Sequence, residues 1–491
     1  MSTSFDLLGV LVVLLATLGI GVFGLRFSRT TSDFYVASRS LSPWLNASAI
    51  GGEYLSAASF LGVAGIIFAS GEWGLWFPIG YTAGYLLLLL FVAAPLRRSG
   101  AYTLPDFTGT RLESLTVRRL TSVLVVIIGW LYIVPQLQGA SLVLGLAASL
   151  PDWLGGAIVA VIVSSLVAVG GMRSITFVQA FQFWFKLLAI AVQAVVVFAA
   201  AFTTHPISIS LSQPLSGEHP VETTVSLLLA LLLGTMGLPH VLVRFTTNPT
   251  GESARRTTVI VLVLLAVFYA FPTIIGLFGR GVAPGVLGGT RSDALVLLLP
   301  SALVPGTFGD ALTALVIAGA FAAFLSTSSG LVISLAGVLS QEFAGGTIRG
   351  FRIAAFASTA VPLAVSFALT PGNLAGSVGL VFAFTAATLA PVMLLSVWWR
   401  GLTARGAVAS MLVGGLVTAF AMIEPWLLGF GSLFVPNDAI QAWASLTAWT
   451  TQPAIVAVPL AFIAAVVVSR LDPIGPPAGV ERALTRLHAP D

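Results

Sequence analysis

Thirteen apolar runs, each close to the roughly 20 residues that an α-helix needs to cross a bilayer, leave this chain few other ways to fold. They lie at about 5–25, 41–69, 73–96, 120–149, 153–171, 175–203, 223–247, 257–278, 308–338, 350–370, 374–399, 406–429 and 450–469. Hydrocarbon offers a free backbone amide no water to bond, so runs of this kind are helical. With 57% hydrophobic and 8% charged residues in a chain of 491, the apolar surface exceeds what a water-soluble core can hide. The expected fold class is an all-α polytopic membrane protein with about thirteen transmembrane helices.

The connections alternate in charge. Every second one carries arginine: Arg26, Arg29 and Arg39; Arg97, Arg98, Arg111, Arg118 and Arg119; Arg173; Arg244, Arg255 and Arg256; Arg349 and Arg352; Arg400 and Arg405; then Arg470, Arg482 and Arg486 in the tail. These are 19 of the 22 basic residues, whereas the intervening connections hold only Arg280 and Arg291 beside acids such as Glu72, Asp152, Glu218, Glu222 and Asp293. The positive-inside rule then places the N-terminus outside and the C-terminus in the cytoplasm. An odd number of spans is required, and one span more or fewer would scramble the alternation downstream. Trp44, Trp73, Trp153, Trp398 and Trp399 fall near run ends, as interfacial anchors do. Residues 437–450 read as a short helix lying on the outer surface.

Several function classes drop out. The formal net charge is only +4 and the basic residues are scattered between apolar runs, so no nucleic-acid partner is expected; the partner is the lipid bilayer. Cysteine is absent, and His205, His219, His240 and His488 are not spaced as a metal pair. Lys186 is the only lysine and lies in "FQFWFKLLAI", so no GxxxxGK[ST] loop exists for a nucleotide. No organic cofactor or covalent chemistry is expected, and no nucleophile and base pair stands out for an enzyme. The first run is too long for a signal-peptide core and reads as an uncleaved helix. The longest connections, about 282–307 and 430–449, and the short tail leave room for one membrane domain and no signalling domain. Its parts read as an extra N-terminal helix (1–30), two repeats (41–203 and 223–399), two C-terminal helices (406–470) and a cytoplasmic tail (471–491).

Two spans are interrupted. The second contains "GGEYLSAAS" (51–59), in which Gly51 and Gly52 weaken the helix so that the neighbouring backbone can unwind, and in which Glu53 needs a partner. An acidic residue at mid-bilayer costs about 2.5–3.5 kcal/mol on translocon scales and is a functional candidate by default. Five spans later, "GTMGLPHVLVRF" (234–245) interrupts the seventh run with Gly234, Gly237, Pro239 and His240, while Arg244 reads as a snorkelling residue at the cytoplasmic end. Paired broken segments in corresponding positions point to a secondary transporter with inverted repeats, here spans two to six and seven to eleven. Unwound carbonyls suit a cation, and the amides and hydroxyls of the half-helix opened by Ser56 to Ser59 suit a small carboxylate. Close glycine, alanine and serine equally serve helix packing.

In "GAFAAFLSTSSGLVISLAG" (319–337), Ala323, Ser326 and Thr327 stand at i, i+3 and i+4 on one helix face. Their carbonyl and two hydroxyls can supply part of the oxygen shell of a hard cation such as sodium, or the hydroxyls can bond back to their own helix.

Taken together, "DFYVASRSLSPWLNASAIGGEYLSAASFLG" (33–62), "YTLPDF" (102–107), "GLPHVLVRF" (237–245) with "ARR" (254–256), and "FLSTSSGL" (324–331) resemble the sodium:solute symporter family, most closely its monocarboxylate (acetate and pyruvate) permease branch. The resemblance runs nearly the whole chain. It implies a LeuT-like 5+5 inverted repeat preceded by one extra helix and followed by two. It also implies a sodium site made of backbone oxygens of Gly52, Leu55 and Ala323 with the hydroxyls of Ser326 and Thr327, and a substrate site around Glu53, Tyr54, Ser56, Ser59, Gly237 and His240. Thr246 and Met236 depart from the branch's usual phenylalanine and alanine, a departure that bears on substrate preference. The expected function is import of a short monocarboxylate (acetate, propionate or pyruvate type) across a bacterial plasma membrane, coupled to Na+ or H+. A symporter of proline, pantothenate or a sugar is the alternative.

Overall fold

The computed structural model describes residues 3–27, 31–148, 150–204, 220–369, 372–431, 438, 441, 443, 445 and 447–489. Six of the fourteen residues of the surface helix expected over 437–450 lie outside them, as do His205, His219, Glu218 and Arg29. Among the described residues there is no strand.

The first half of the chain forms α1 (Thr3–Gly24), α2 (Thr31–Val36), α3 (Pro43–Tyr54), α4 (Val63–Ser70), α5 (Trp76–Phe91), α6 (Ala93–Ser99), α7 (Leu104–Arg111), α8 (Leu115–Ala148) and α9 (Asp152–Thr204). The second half forms α10 (Val221–Gly237), α11 (Pro239–Phe245), α12 (Gly251–Val282), α13 (Leu295–Leu303), α14 (Thr307–Phe343), α15 (Ile348–Ala368), α16 (Leu374–Trp398), α17 (Ala404–Gly431), α18 (Ala454–Leu471) and α19 (Val480–His488). Among the described residues, ten continuous helices are long and apolar enough to cross a membrane, and the bent pair α10–α11, taken as one span, is an eleventh. Two of the ten each join two of the expected runs. Ala58–Phe91 passes through a 3-10 turn at Gly71–Leu75, and α9 leaves helical geometry at Gly171 (φ 59°, ψ −167°). Divided there, the chain makes the thirteen expected crossings. The connection at 282–307 differs from expectation in containing α13.

Side-chain contacts between connections match the alternation of charge. On the arginine-rich side, Arg39 donates to the carbonyl of Gly100 (2.7 Å), Arg97 to that of Pro249 (2.6 Å), Arg118 pairs with Glu342 (2.7 Å) and Arg173 with Asp33 (2.8 Å). On the opposite side, Trp73 donates to Thr224 (3.0 Å), and Asp293 accepts from the amide of Leu374 (3.1 Å). Connections assigned to one face therefore touch one another.

The core lies along α14. Nearly all of it from Leu312 to Val338 is buried, against α9, α8, α1 and α15. Small side chains permit this close approach, since lipid supplies little hydrophobic drive between helices. By contrast α1 is peripheral and exposes Leu8, Leu11, Val12, Leu15 and Val22. Trp44, Trp153 and Trp398 are about half exposed, as anchors would be.

Candidate functional site

The second span breaks at Leu55, three residues beyond the glycine pair. Leu55 (φ −74°, ψ 81°) is the centre of an inverse γ-turn, in which the amide of Ser56 bonds to the carbonyl of Tyr54 (2.8 Å). The amide of Ala57 is captured by Gln136 Oε1 on α8 (3.0 Å). In an unbroken helix those two amides would have bonded to the carbonyls of Gly52 and Glu53. Both carbonyls are thus released, and the buried backbone must find other donors.

Those donors come from distant helices. Thr327 Oγ1 donates to the carbonyl of Glu53 (2.6 Å). Lys186 Nζ, from α9, donates to the carbonyls of Gly52 (2.5 Å) and Leu55 (2.6 Å) and to Ser326 Oγ (3.1 Å). Ser326 Oγ itself donates to the carbonyl of Ala323 (3.1 Å). All five residues of the expected cation site are therefore gathered at one place, with the ammonium of Lys186 among their oxygens. Gly51 and Gly52 remain inside α3 and serve close packing: a Cβ on Gly52 would overlap the carbonyl of Gln179, and one on Gly51 would lie 2.8 Å from the Phe183 ring.

Glu53 has its partner in Arg244. The Nε of Arg244 meets Glu53 Oε2 at 2.7 Å, with both side chains buried. Arg244 also donates to Thr176 (2.9 Å) and to Gln179 Oε1, while Gln179 Nε2 donates to the carbonyl of Ser326 (2.8 Å). This corrects the expectation that Arg244 snorkels at the cytoplasmic end. After Gly237 the chain turns at Leu238 (φ −65°, ψ 114°), Pro239 has no amide hydrogen to continue the ladder, and α11 departs from α10 by 46°. The bend carries Arg244 into the interior.

The expected substrate residues lie at and between the two breaks, all of them buried. Tyr54 OH donates to the carbonyl of Tyr81 (3.0 Å) and lies 3.2 Å from Thr235 Oγ1 on α10. Ser59 meets Tyr269 OH (2.8 Å), and buried Ser56 lies beside Tyr132. His240 is buried with its ring 5.3 Å from that of Tyr132. At Gly237 a Cβ would lie 2.8 Å from Thr385 Cγ2 and 3.0 Å from the amide nitrogen of Ala390, so glycine permits the close approach of α16.

Sequence reasoning passed over much of this cluster. Five of the seven tyrosines, Tyr54, Tyr81, Tyr85, Tyr132 and Tyr269, meet here around Phe382. The hydroxyls of Tyr81 and Tyr85, both ring nitrogens of His240, Glu53 Oε1 and Gln136 Nε2 are buried without a hydrogen-bond partner. Buried polar atoms are ordinarily paired, so a concentration of orphans marks a place where a polar ligand or water belongs. On α9, Thr176, Gln179 and Lys186 fall at i, i+3 and i+10, one polar stripe in an apolar run and a signal present in the sequence.

The structure superposes on transporters of the LeuT-like fold. A Na+-coupled sialic acid symporter in a substrate-bound outward-open state gives a TM-score of 0.73 at 13% identity, covering 96% of this chain and 98% of the other. Mhp1, a nucleobase-cation-symport-1 family transporter solved closed with bromovinylhydantoin bound, gives 0.59 at 15% identity over 92% and 98%. At the sequence level, the chain is 32% identical over 476 residues to the uncharacterized symporter YwcA of Bacillus subtilis (strain 168), covering 91% of each chain. The family model for sodium:solute symporters matches residues 34–414. The chain is a multi-pass membrane protein that belongs to the sodium:solute symporter family.

Proposed function

We propose that this protein is a secondary active symporter that imports a short monocarboxylate, of the acetate, propionate or pyruvate type, with Na+ or H+ across a bacterial plasma membrane by alternating access. The observation that carries the reading is the cluster of orphaned polar atoms from Glu53, Tyr81, Tyr85 and His240 at two broken helices. Tyrosine hydroxyls, the hydroxyl of Ser56 and a histidine N–H donate hydrogen bonds of the kind a carboxylate accepts, and the surrounding aromatic faces suit a short apolar tail.

The local charge agrees with a monoanion. With Glu53, Arg244 and Lys186 all ionised, the centre carries a net +1 that one carboxylate neutralises. Gly52, Leu55, Ala323, Ser326 and Thr327 form the cation cradle. Placing a cation beside the anion lowers the electrostatic cost of burying either, which couples the two in transport. Tyr54 links the cradle helix to the second broken helix through Thr235, so a change at one break is felt at the other.

The test is uptake of labelled acetate and pyruvate into proteoliposomes under an imposed sodium or proton gradient. Accumulation above equilibrium under either gradient supports the reading. No carboxylate uptake under both gradients, with uptake of proline, pantothenate or a sugar instead, would replace the substrate.

A further inference from the structure

We infer that Lys186 takes the place of a coupling sodium ion: its tethered ammonium, and not a metal ion, fills the cradle of Gly52, Leu55, Ala323, Ser326 and Thr327. The inference rests on the proposal that these oxygens are the transporter's cation cradle.

An ammonium has three N–H donors and no acceptor. Lys186 aims all three at cradle oxygens, the carbonyls of Gly52 and Leu55 and the hydroxyl of Ser326. The remaining two residues bond within the same cluster, the carbonyl of Ala323 accepting from Ser326 and Thr327 Oγ1 donating to the carbonyl of Glu53. A sodium ion bound to this set would sit within a few ångströms of a like charge. It would also strip a lysine of 0% exposure of its acceptors, stranding the ammonium in the interior. The cradle therefore does not fit sodium while Lys186 is present.

The charge count points the same way. With Glu53, Arg244 and Lys186 ionised, one bound monoanion brings the centre to zero, so the tethered ammonium already balances the anion and no metal ion is needed in the cradle to do so. The ammonium of Lys186 supplies, from within the chain, the positive charge that the ion would otherwise bring. It is the chain's only lysine. Of the two coupling ions considered for the symport, the proton is then the one that remains.

The test uses purified full-length protein and reads sodium binding separately from transport. Thermal unfolding is followed by tryptophan fluorescence with NaCl titrated against choline chloride at constant ionic strength, for the wild type, Lys186→Ala and Ser326→Ala/Thr327→Ala. Expected is no sodium-specific change in wild-type Tm, and a saturable sodium-specific rise of several degrees in Lys186→Ala, in which the cradle is open. In proteoliposomes, wild-type uptake of labelled acetate should be the same within twofold in sodium and in choline. A saturable, sodium-specific stabilisation of the wild type that the Ser326→Ala/Thr327→Ala variant lacks would overturn the inference. So would a folded Lys186→Ala that ignores sodium. If Lys186→Ala does not fold, the wild-type titration decides by itself. Absence of acetate uptake under every condition would count against the monocarboxylate reading and leave the sodium titration, which needs no substrate, to stand.

Discussion

The ion pair between Glu53 and Arg244 offers a double-mutant test whose outcome follows from counting charges. In the wild type the centre holds Glu53, Arg244 and Lys186, net +1 with all three ionised. Glu53→Gln keeps the shape but leaves two cations with no anion, net +2. Arg244→Met leaves Glu53 with Lys186 as its remaining neighbour, net zero, and deprives Thr176 and Gln179 of their donor. Two unit charges about 4 Å apart interact by about 4 kcal/mol at an effective dielectric constant near 20. Breaking a buried pair from one side costs about 3–5 kcal/mol. Glu53→Gln should therefore sit at the upper end of that range and Arg244→Met at the lower end. The double variant Glu53→Gln/Arg244→Met returns to net +1 and should recover most of the loss, because replacing both members of a buried pair is often near neutral. Thermal unfolding in detergent is the assay. Single-variant falls of about 6–10 °C are expected from about 2 °C per kcal/mol, with the double variant within a few degrees of the wild type. A double variant as unstable as the sum of the singles would show that the two charges do not compensate one another, and the reasoning would fail.

Other consequences can be read in the same way. Tyr81→Phe and Tyr85→Phe remove hydroxyls that have no partner within the protein, so Tm should hold while KM for acetate rises about tenfold, as for one lost hydrogen bond to a charged ligand; a fall in Tm with unchanged KM would assign these hydroxyls to the fold. Gly330→Ala would push a Cβ into the carboxyl of Glu53, which Arg244 holds in place, and should destabilise by about 1–3 kcal/mol with loss of uptake; wild-type stability would show that Glu53 is free to move. Thr327→Val keeps the shape and strands the carbonyl of Glu53, for an expected loss of about 1–3 kcal/mol in unfolding free energy. An unchanged Tm would mean that another donor reaches that carbonyl.

Topology was legible in the sequence because it depends on local quantities. Each span is a run long enough to cross, and each connection carries its own charge, so alternation checks the count without knowledge of contacts. The contacts that join Arg39 to Gly100 and Arg173 to Asp33 follow from it. The breaks were legible too. Gly51 and Gly52 marked a weak point because glycine is the poorest helix former there after proline, and Ser56 to Ser59 marked the start of the next half-helix. The helix opens between them at Leu55, and what the sequence did not show is that Gln136, 79 residues from Ala57, captures the amide of Ala57.

Long-range pairing also explains what was misread or passed over. Arg244 was assigned to a connection by its distance from the end of an apolar run, a rule that assumes a straight helix. The 46° bend at Leu238 breaks that assumption and delivers it to Glu53, 191 residues earlier. Lys186 presented a stronger clue, since a cation in mid-membrane is nearly as costly as an acid and demands a partner by the same argument that singled out Glu53. Its partner, however, is no acidic residue that a sequence scan for opposite charges would find. It is a set of carbonyls freed by a helix break and a hydroxyl on α14, 140 residues away. A buried charge can be balanced by backbone dipoles that carry no signature in residue type. For such a site the sequence can show that a charge needs a partner, and only the fold identifies the atoms that answer it.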